Sequence, residues 1–244
     1  MTGLTLHQPT PHGPVYGPAE GAGLPGVVVV HGAEGPMAGW SHRFAAILAA
    51  HGFLALPVSY GAGDFFGAGA IREVDLSTLP AAGAALASHS RSNGRVGLFG
   101  WSKGAEAVLT TAALTDRFAC IAAHAPPDRI TGALDPATLR AGGRWLLDRP
   151  DDPRAWVWPG QDHRLAPGTP LPVTDATAPI FLSTGTADEV WPADQTLRLA
   201  RRLEAAGRPP ELYLAEGQGH GFDYDTEPEL WARLTNFLRR HLHG

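Results

Sequence analysis

Cysteine is almost missing from this sequence. Cys120 is the only one in 244 residues, which excludes an intrachain disulfide and a thiolate metal cluster. Lysine is equally scarce: Lys103 stands alone against 18 arginines, a compositional habit that goes with the richness in alanine, glycine and proline. There is no excess of positive charge. Nineteen basic residues face 24 acidic ones, for a formal net charge of −5. That balance argues against nucleic acid as a partner, because phosphate binding needs a concentrated basic surface, and it offers no basic patch to an anionic membrane. Long apolar runs are lacking too. The longest, residues 26–30 and 44–50, are far too short to span a bilayer. No Lys or Arg precedes Arg43, so the charged start of a secretory signal is missing, and the expected location is the cytoplasm. The 11 histidines form no ligand pattern such as H-E-x-x-H, so neither a metal nor a cofactor is expected.

What is present describes a folded α/β chain. Hydrophobic residues make up 44% and charged residues 18%, which excludes disorder as the main state. The length suits one domain over residues 1–244. Residues 1–25, rich in Pro and Gly, predict a strap of short strands. The run GVVVV at 26–30 predicts a strand buried on both faces. Further strands are predicted at 53–58, 95–100, 119–123, 179–184 and 211–215. Helical spacing of Phe44, Ile47, Leu48 and His51 predicts a helix that stops at Gly52. Other helices are predicted at 80–89, from about Ser102, and from Leu197 to Gly207. The last opens on Thr226 and Glu229, a capping-box pattern. Strands alternating with helices predict a mostly parallel twisted sheet with helices on both faces.

Residues 125–178 break the rhythm. They hold nine prolines, three tryptophans (Trp145, Trp156, Trp158) and no clear strand. The tryptophans demand burial, so the stretch is expected to be a cap over one end of the sheet, with one helix around 136–147.

Gly100-Trp101-Ser102-Lys103-Gly104 matches G-x-S-x-G. Thirty glycines make chance matches easy, so the context carries the weight. The motif sits where a strand turns into a helix, the turn that exposes a serine hydroxyl at the carboxyl edge of a sheet. A serine nucleophile needs a base, and the base needs an orienting carboxylate. In chain order Ser, Asp, His, the candidates are Ser102, then Asp188 after strand 179–184, then His220 after strand 211–215. All three lie at carboxyl ends of strands, the ligand edge of an open parallel sheet. Glu189 rivals Asp188, but loop position favours Asp188. His124 follows a strand end but precedes the carboxylate, so it is expected to be structural or pocket-lining. His163, beside Asp162, is expected to cap or face solvent.

A tetrahedral intermediate needs about two donors for its oxyanion. The expected pair is the backbone N–H of Lys103 and that of Ala33, in the turn after strand 26–30. The Lys103 side chain is expected in solvent. Glu34 would oppose the developing charge, so it is expected to point to solvent or to an arginine. Trp101, Trp191 and Phe222 flank the three triad residues and are the candidate substrate-binding aromatics.

These residues resemble α/β-hydrolases of the dienelactone-hydrolase-like group. Within it the chain resembles the catalytic domain of acyl-CoA thioesterases and bile-acid-CoA:amino-acid N-acyltransferases. The likeness rests on GVVVVHGAEG, LAAHGFLALPVSYG, VGLFGWSKGAEAVL, IFLSTGTADEVWP and YLAEGQGHGF, in that order. It implies an α/β-hydrolase fold and acyl transfer to water, since the acyltransferases use cysteine as nucleophile and the thioesterases serine. The animal members also carry an N-terminal β-sandwich, for which 25 residues leave no room.

The expected function is therefore that of a serine hydrolase on carboxylic esters or acyl thioesters with an apolar acyl group. Two alternatives stay open: a ligand-binding homologue that turns over slowly or not at all, and an acyltransferase. Coenzyme A would have to lie against arginines of the cap, Arg140, Arg144, Arg149 or Arg154.

Overall fold

The structure is a computed structural model. It describes residues 4–6, 10–35, 39–60, 70–135, 141–144 and 146–243. Eight strands form one sheet in the order β1-β2-β4-β3-β6-β7-β9-β10. They are β1 (Leu4–Leu6), β2 (Tyr16–Pro18), β3 (Leu24–Val30), β4 (Leu54–Val58), β6 (Ser92–Trp101), β7 (Ile121–His124), β9 (Ile180–Gly185) and β10 (Glu211–Ala215). The predicted N-terminal strap is β1 and β2, paired antiparallel, with β2 antiparallel to β4. From β4 to β10 every pairing is parallel.

The central parallel strands are buried on both faces, and their alternation sorts side chains between two cores; the edge strand β10 leaves Leu214 exposed. On one face Val27, Val29, Phe99, Ala122 and Phe181 pack against Phe44 and Leu48 of α1 (Trp40–Ala50) and against Leu230, Leu234, Phe237 and Leu238. The latter four lie on the last helix, Glu227–Leu242, numbered α5 below. On the other face Val28, Val30, Leu98, Ile121 and Leu182 pack against α2 (Thr78–Ala87), α3 (Lys103–Leu114) and α4 (Ala193–Ala205). One β-branched run thus serves two cores because its period is two.

The chain passes from β3 to β4 on one side and then crosses back to β6 on the other. β3 and β6 therefore flank the topological switch point, where the connecting loops diverge and leave a crevice at the carboxyl edge. The turns after β3 and β6 carry Ala33 and Ser102 to that crevice.

Residues 125–178 depart from expectation in two ways. They hold a strand, β8 (Trp156–Val157), parallel to β5 (Val74–Asp75) in a separate two-stranded sheet. They also contribute to the main core. Ile130, Ala155, Trp156, Leu165, Leu171 and Val173 belong to the same buried cluster as α2 and α3. Trp156 is fully buried and Trp158 partly, while Trp145 lies outside the described residues. So do residues 136–140 of the expected helix, and the described residues 141–144 form a turn and coil. The capping box of α5 also differs. Glu229 binds Tyr213 and Arg233 instead of reaching back, and Asp223 Oδ1 accepts the Thr226 N–H at 2.8 Å. An aspartate three residues upstream is the better-placed acceptor.

Because Trp156 sits inside the shared cluster, Trp156→Ala is expected to cost about 3–5 kcal/mol. Unfolding should remain a single transition when followed by both fluorescence and circular dichroism. A separate early transition would mean that the excursion folds as an independent cap.

Candidate active site

The backbone of Ser102 is held at φ 53°, ψ −118°, a region that non-glycine residues rarely occupy and that costs energy to maintain. It is kept there by close approach on both sides. A methyl group at Gly104 would lie 2.3 Å from the His31 carbonyl oxygen and 2.5 Å from that of Val30. One at Gly100 would lie 2.3 Å from the Gly104 carbonyl oxygen. The two glycines of the motif thus let the start of α3 sit against the end of β3, and the turn aims a buried serine into the crevice. The Ser102 N–H is tied to the His124 carbonyl at 2.9 Å.

Asp188 and His220 meet as expected. His220 Nδ1 lies 2.8 Å from Asp188 Oδ2. Asp188 Oδ1 accepts the backbone N–H groups of Val190 and Trp191 at 2.8 and 2.9 Å. With both carboxylate oxygens engaged, Nδ1 is the protonated ring nitrogen and Nε2 is left as the basic one. Among the described residues no hydrogen bond joins His220 to Ser102. Ser102 Oγ instead accepts the Trp191 indole N–H at 3.2 Å.

Ala33 and Lys103 line one cavity with Ser102, as an oxyanion role requires. Its volume is about 70 Å³, and Thr131, Gly132, Leu134, Leu146, Leu147, Val190 and Trp191 complete its lining. The three candidate aromatics do not share it. Trp101 and Phe222 line a larger cavity of about 470 Å³ with Trp40, Arg43, Tyr224 and Glu227. The larger volume is not the one that holds the serine.

Two expectations about side chains fail. Among the described residues Glu34 pairs with no arginine, and it does not stand free in solvent. It is half-buried and accepts the Gly32 N–H at 2.8 Å, and burial raises its pKa above the usual carboxylate value. It braces the turn after β3 from within. Lys103 is not solvated at all, with 4% of its surface exposed. Its ammonium binds Glu106 Oε2 at 2.9 Å, the Thr131 hydroxyl, and the Thr131 and Gly132 carbonyls at 3.1 and 3.3 Å. It also lies 4.9 Å from the Trp156 ring centre. Glu106, fully buried, accepts the Thr131 N–H at 2.8 Å and the Trp156 indole N–H at 2.7 Å. This network joins the first turn of α3 to the 131–132 wall of the small cavity. Sequence reading missed Glu106 and Thr131. The i, i+3 spacing of Lys103 and Glu106 on one helix was the available signal.

His31 and His124 are fully buried. His31 stacks on Tyr60 with 4.0 Å between ring centres. His124 binds Ser183 Oγ at 2.9 Å and the His220 carbonyl at 3.1 Å. It therefore supports the loop that carries His220, the structural one of the two roles expected of it. Desolvation lowers the pKa of His31 to about 4 and that of His124 to about 3. Burial also pushes the Cys120 thiol up to about 12, which leaves it unreactive. Among the described residues no cluster of His, Cys, Asp and Glu could hold a metal, and no helix is long and apolar enough to cross a membrane.

The sequence profile of the prolyl oligopeptidase family, peptidase S9, matches residues 73–244. The chain belongs to this family. No curated protein matches it significantly. Among solved structures it is similar to a puromycin-hydrolysing peptidase of Mycobacterium tuberculosis, with a TM-score of 0.68 at 20% identity. That match covers 99% of this chain but 40% of the peptidase, so the chain spans less than half its length. An esterase of Pyrobaculum calidifontis gives a TM-score of 0.67 at 18% identity, covering 97% of this chain and 84% of the esterase. A candidate dienelactone hydrolase of Klebsiella pneumoniae gives 0.66 at 17% identity, covering 98% of both chains. Likeness at such identities shows the fold, and with the family match it establishes the expected α/β-hydrolase relationship.

Two outcomes test this description. Lys103→Met leaves the Glu106 carboxylate buried without its cation, and is expected to cost about 3–5 kcal/mol in urea unfolding. A loss below about 1 kcal/mol would mean that the network does not clamp the cavity wall. The second concerns pH. His31 and His124 have folded pKa values below the unfolded value near 6.5, so below pH 6.5 the unfolded chain binds more protons. Their contribution is present above pH 6.5 and is lost as pH falls towards 4 and 3. Each steepens the fall by up to about 1.4 kcal/mol per pH unit. Urea midpoints should drop between pH 7 and pH 5, and the drop should shrink in His124→Asn.

Proposed function

We propose that this chain is a serine hydrolase that forms an acyl-enzyme on Ser102 and hydrolyses it with water. The observation that carries this reading is the Asp188–His220 pair at 2.8 Å, set on the same sheet edge as a serine held at positive φ. In the proposed reaction His220 Nε2 takes the Ser102 proton as Oγ attacks the acyl carbonyl. Asp188 stays ionised and steadies the imidazolium. The backbone N–H groups of Ala33 and Lys103 receive the negative charge on the former carbonyl oxygen. His220 then protonates the leaving group, and a water activated by the same nitrogen releases the acid.

The cavity beside Ser102 supports a short, apolar acyl group. At about 70 Å³ it has room for only a few non-hydrogen atoms, since one water needs about 10–15 Å³ on this measure. Leu134, Leu146, Leu147, Val190 and Trp191 make most of its lining apolar. Each buried methylene adds about 0.8 kcal/mol at best, so selectivity should rise over the first few carbons and then stop. Oxygen esters fit this site better than coenzyme A thioesters. The Arg144 guanidinium, one of the cations expected to meet the coenzyme, is already engaged by both oxygens of Asp152 at 2.8 and 2.6 Å. Trp101 and Phe222, in the larger cavity, would serve the leaving group rather than the acyl chain. Membership of the peptidase S9 family favours a second reading, cleavage of aminoacyl amides by the same three residues.

A substrate panel decides between them: p-nitrophenyl esters from acetyl to dodecanoyl, the matching coenzyme A thioesters, and aminoacyl p-nitroanilides. The expected result is kcat/KM highest at two to four carbons on the esters. Ser102→Ala should lose activity by a factor of order 10⁶ and should also lose labelling by a fluorophosphonate. Wild-type protein that resists the label would mark a ligand-binding homologue. Activity confined to the anilides would make it a peptidase, and activity confined to the thioesters a thioesterase.

A further inference from the structure

The one hydrogen bond at Ser102 Oγ among the described residues comes from Trp191, not from the base. The indole Nε1 lies 3.2 Å away, and both residues are buried, at 5% and 6% exposure. The ring is anchored at its root by the site itself: the Trp191 backbone N–H donates to Asp188 Oδ1 at 2.9 Å, on the same carboxylate that holds His220. Pro192 follows at once and α4 begins at Ala193, so the chain on the other side of Trp191 is stiff as well. The indole donor is thus aimed at the reacting oxygen by two features that do not depend on the bound substrate.

We propose that the Trp191 indole N–H is a catalytic donor to Ser102 Oγ, acting chiefly when that oxygen departs during deacylation. The proposal rests on the serine-hydrolase reading above. An indole N–H can donate but cannot accept, so it cannot deprotonate the serine. It can only favour states in which Oγ carries more negative charge. In deacylation, water attacks the acyl carbon and gives its proton to His220 Nε2. The tetrahedral intermediate then collapses. Its carbon–Oγ bond breaks, the electron pair goes to Oγ, and the imidazolium returns the proton to Oγ. Trp191 keeps its own proton throughout. Oγ gains negative charge during this collapse, whereas the acyl-ester oxygen it starts from is a poor acceptor, so a preorganised donor there acts almost entirely on the barrier. In acylation the attack passes through a transition state of the same kind, but the hydroxyl oxygen it starts from already accepts the indole N–H at 3.2 Å, so part of the donor's effect is present in the ground state and it matters less. A purely structural account would have the indole merely using the serine as a buried partner. That account predicts no difference between the two half-reactions.

The test uses the full chain and p-nitrophenyl acetate. Two replacements of Trp191 remove the donor: Trp191→Phe, and substitution of its indole by benzothiophene through 3-benzothienylalanine, which keeps the ring's shape if phenylalanine disturbs the fold. Stopped-flow release of p-nitrophenol reads acylation in the burst and deacylation in the steady phase. Acid-quenched mass spectrometry counts acyl-Ser102. The steady rate should fall about ten- to hundredfold, the range for one donor to a developing negative charge. The burst rate should change much less, and acyl-enzyme should accumulate. Equal slowing of both phases, or an unchanged steady rate in the benzothiophene protein, would overturn the proposal. If wild-type Ser102 neither acylates nor takes a fluorophosphonate, the serine-hydrolase reading itself fails. A wild type that labels while the Trp191 variants behave normally fails this proposal alone.

Discussion

The contact on which the site depends is the approach of Gly104 to the carbonyl ends of β3. Without a side chain at Gly104, the first turn of α3 can sit against the Val30 and His31 oxygens. That forces the chain to reverse within one residue, and Ser102 takes the positive φ. The strain is local, but what opposes it is not. β3 and β6 are neighbours in the middle of a sheet buried on both faces, so relaxing the turn would mean separating α3 from β3. The same approach sets the turn after β3 beside the serine: a methyl group at Gly32 would meet Ser102 Cβ at 3.2 Å. The Ser102 turn and the turn at Gly32–Ala33 beside it are thus products of one packing contact.

A second layer of control lies beneath the site in polar form. The Lys103 ammonium and the Glu106 carboxylate are out of water, yet each has several partners. A buried pair of this kind contributes little net stability. What it does is connect. It joins the helix that carries the serine to the Thr131–Gly132 segment that walls the small cavity, and its geometry is fully specified by the hydrogen bonds it makes. Within residues 125–178 the Trp156 indole is likewise held, by Glu106 on one side and by the shared apolar core on the other. The shape of the cavity is therefore coupled to the position of α3.

Much of this was legible in residue order. The run 26–30 reads as a doubly buried strand because β-branched residues without polar alternation suit no exposed face. The structure extends it to Leu24–Val30 and gives alternate valines to opposite cores. Ser102, Asp188 and His220 were identified because each follows a strand end, and parallel crossovers bring such ends to one edge. The errors fall where a side chain's surroundings come from distant segments. Lys103 reads as a surface lysine until Thr131 and Trp156 are folded over it. Glu34 reads as misplaced until the turn curls back and offers it the Gly32 N–H. Trp101, Trp191 and Phe222 lie one, three and two positions from Ser102, Asp188 and His220, yet they divide between two cavities because nearby residues on a strand end or loop point to different sides.

Sequence alone pointed to the strands and helices of the main sheet, to its carboxyl edge and to Ser102, Asp188 and His220 as the candidates there. These follow from short-range rules: period two in strands, period 3.6 in helices, and glycines where the backbone must turn sharply. Tertiary structure alone decided that the cavity beside Ser102 is small, that Lys103 is buried in an ion pair and that the serine oxygen faces an indole N–H. The Lys103–Glu106 spacing is local, but the burial of that pair and the other two features depend on which atoms of residues tens of positions apart come within 3–4 Å, and no local pattern encodes that distance.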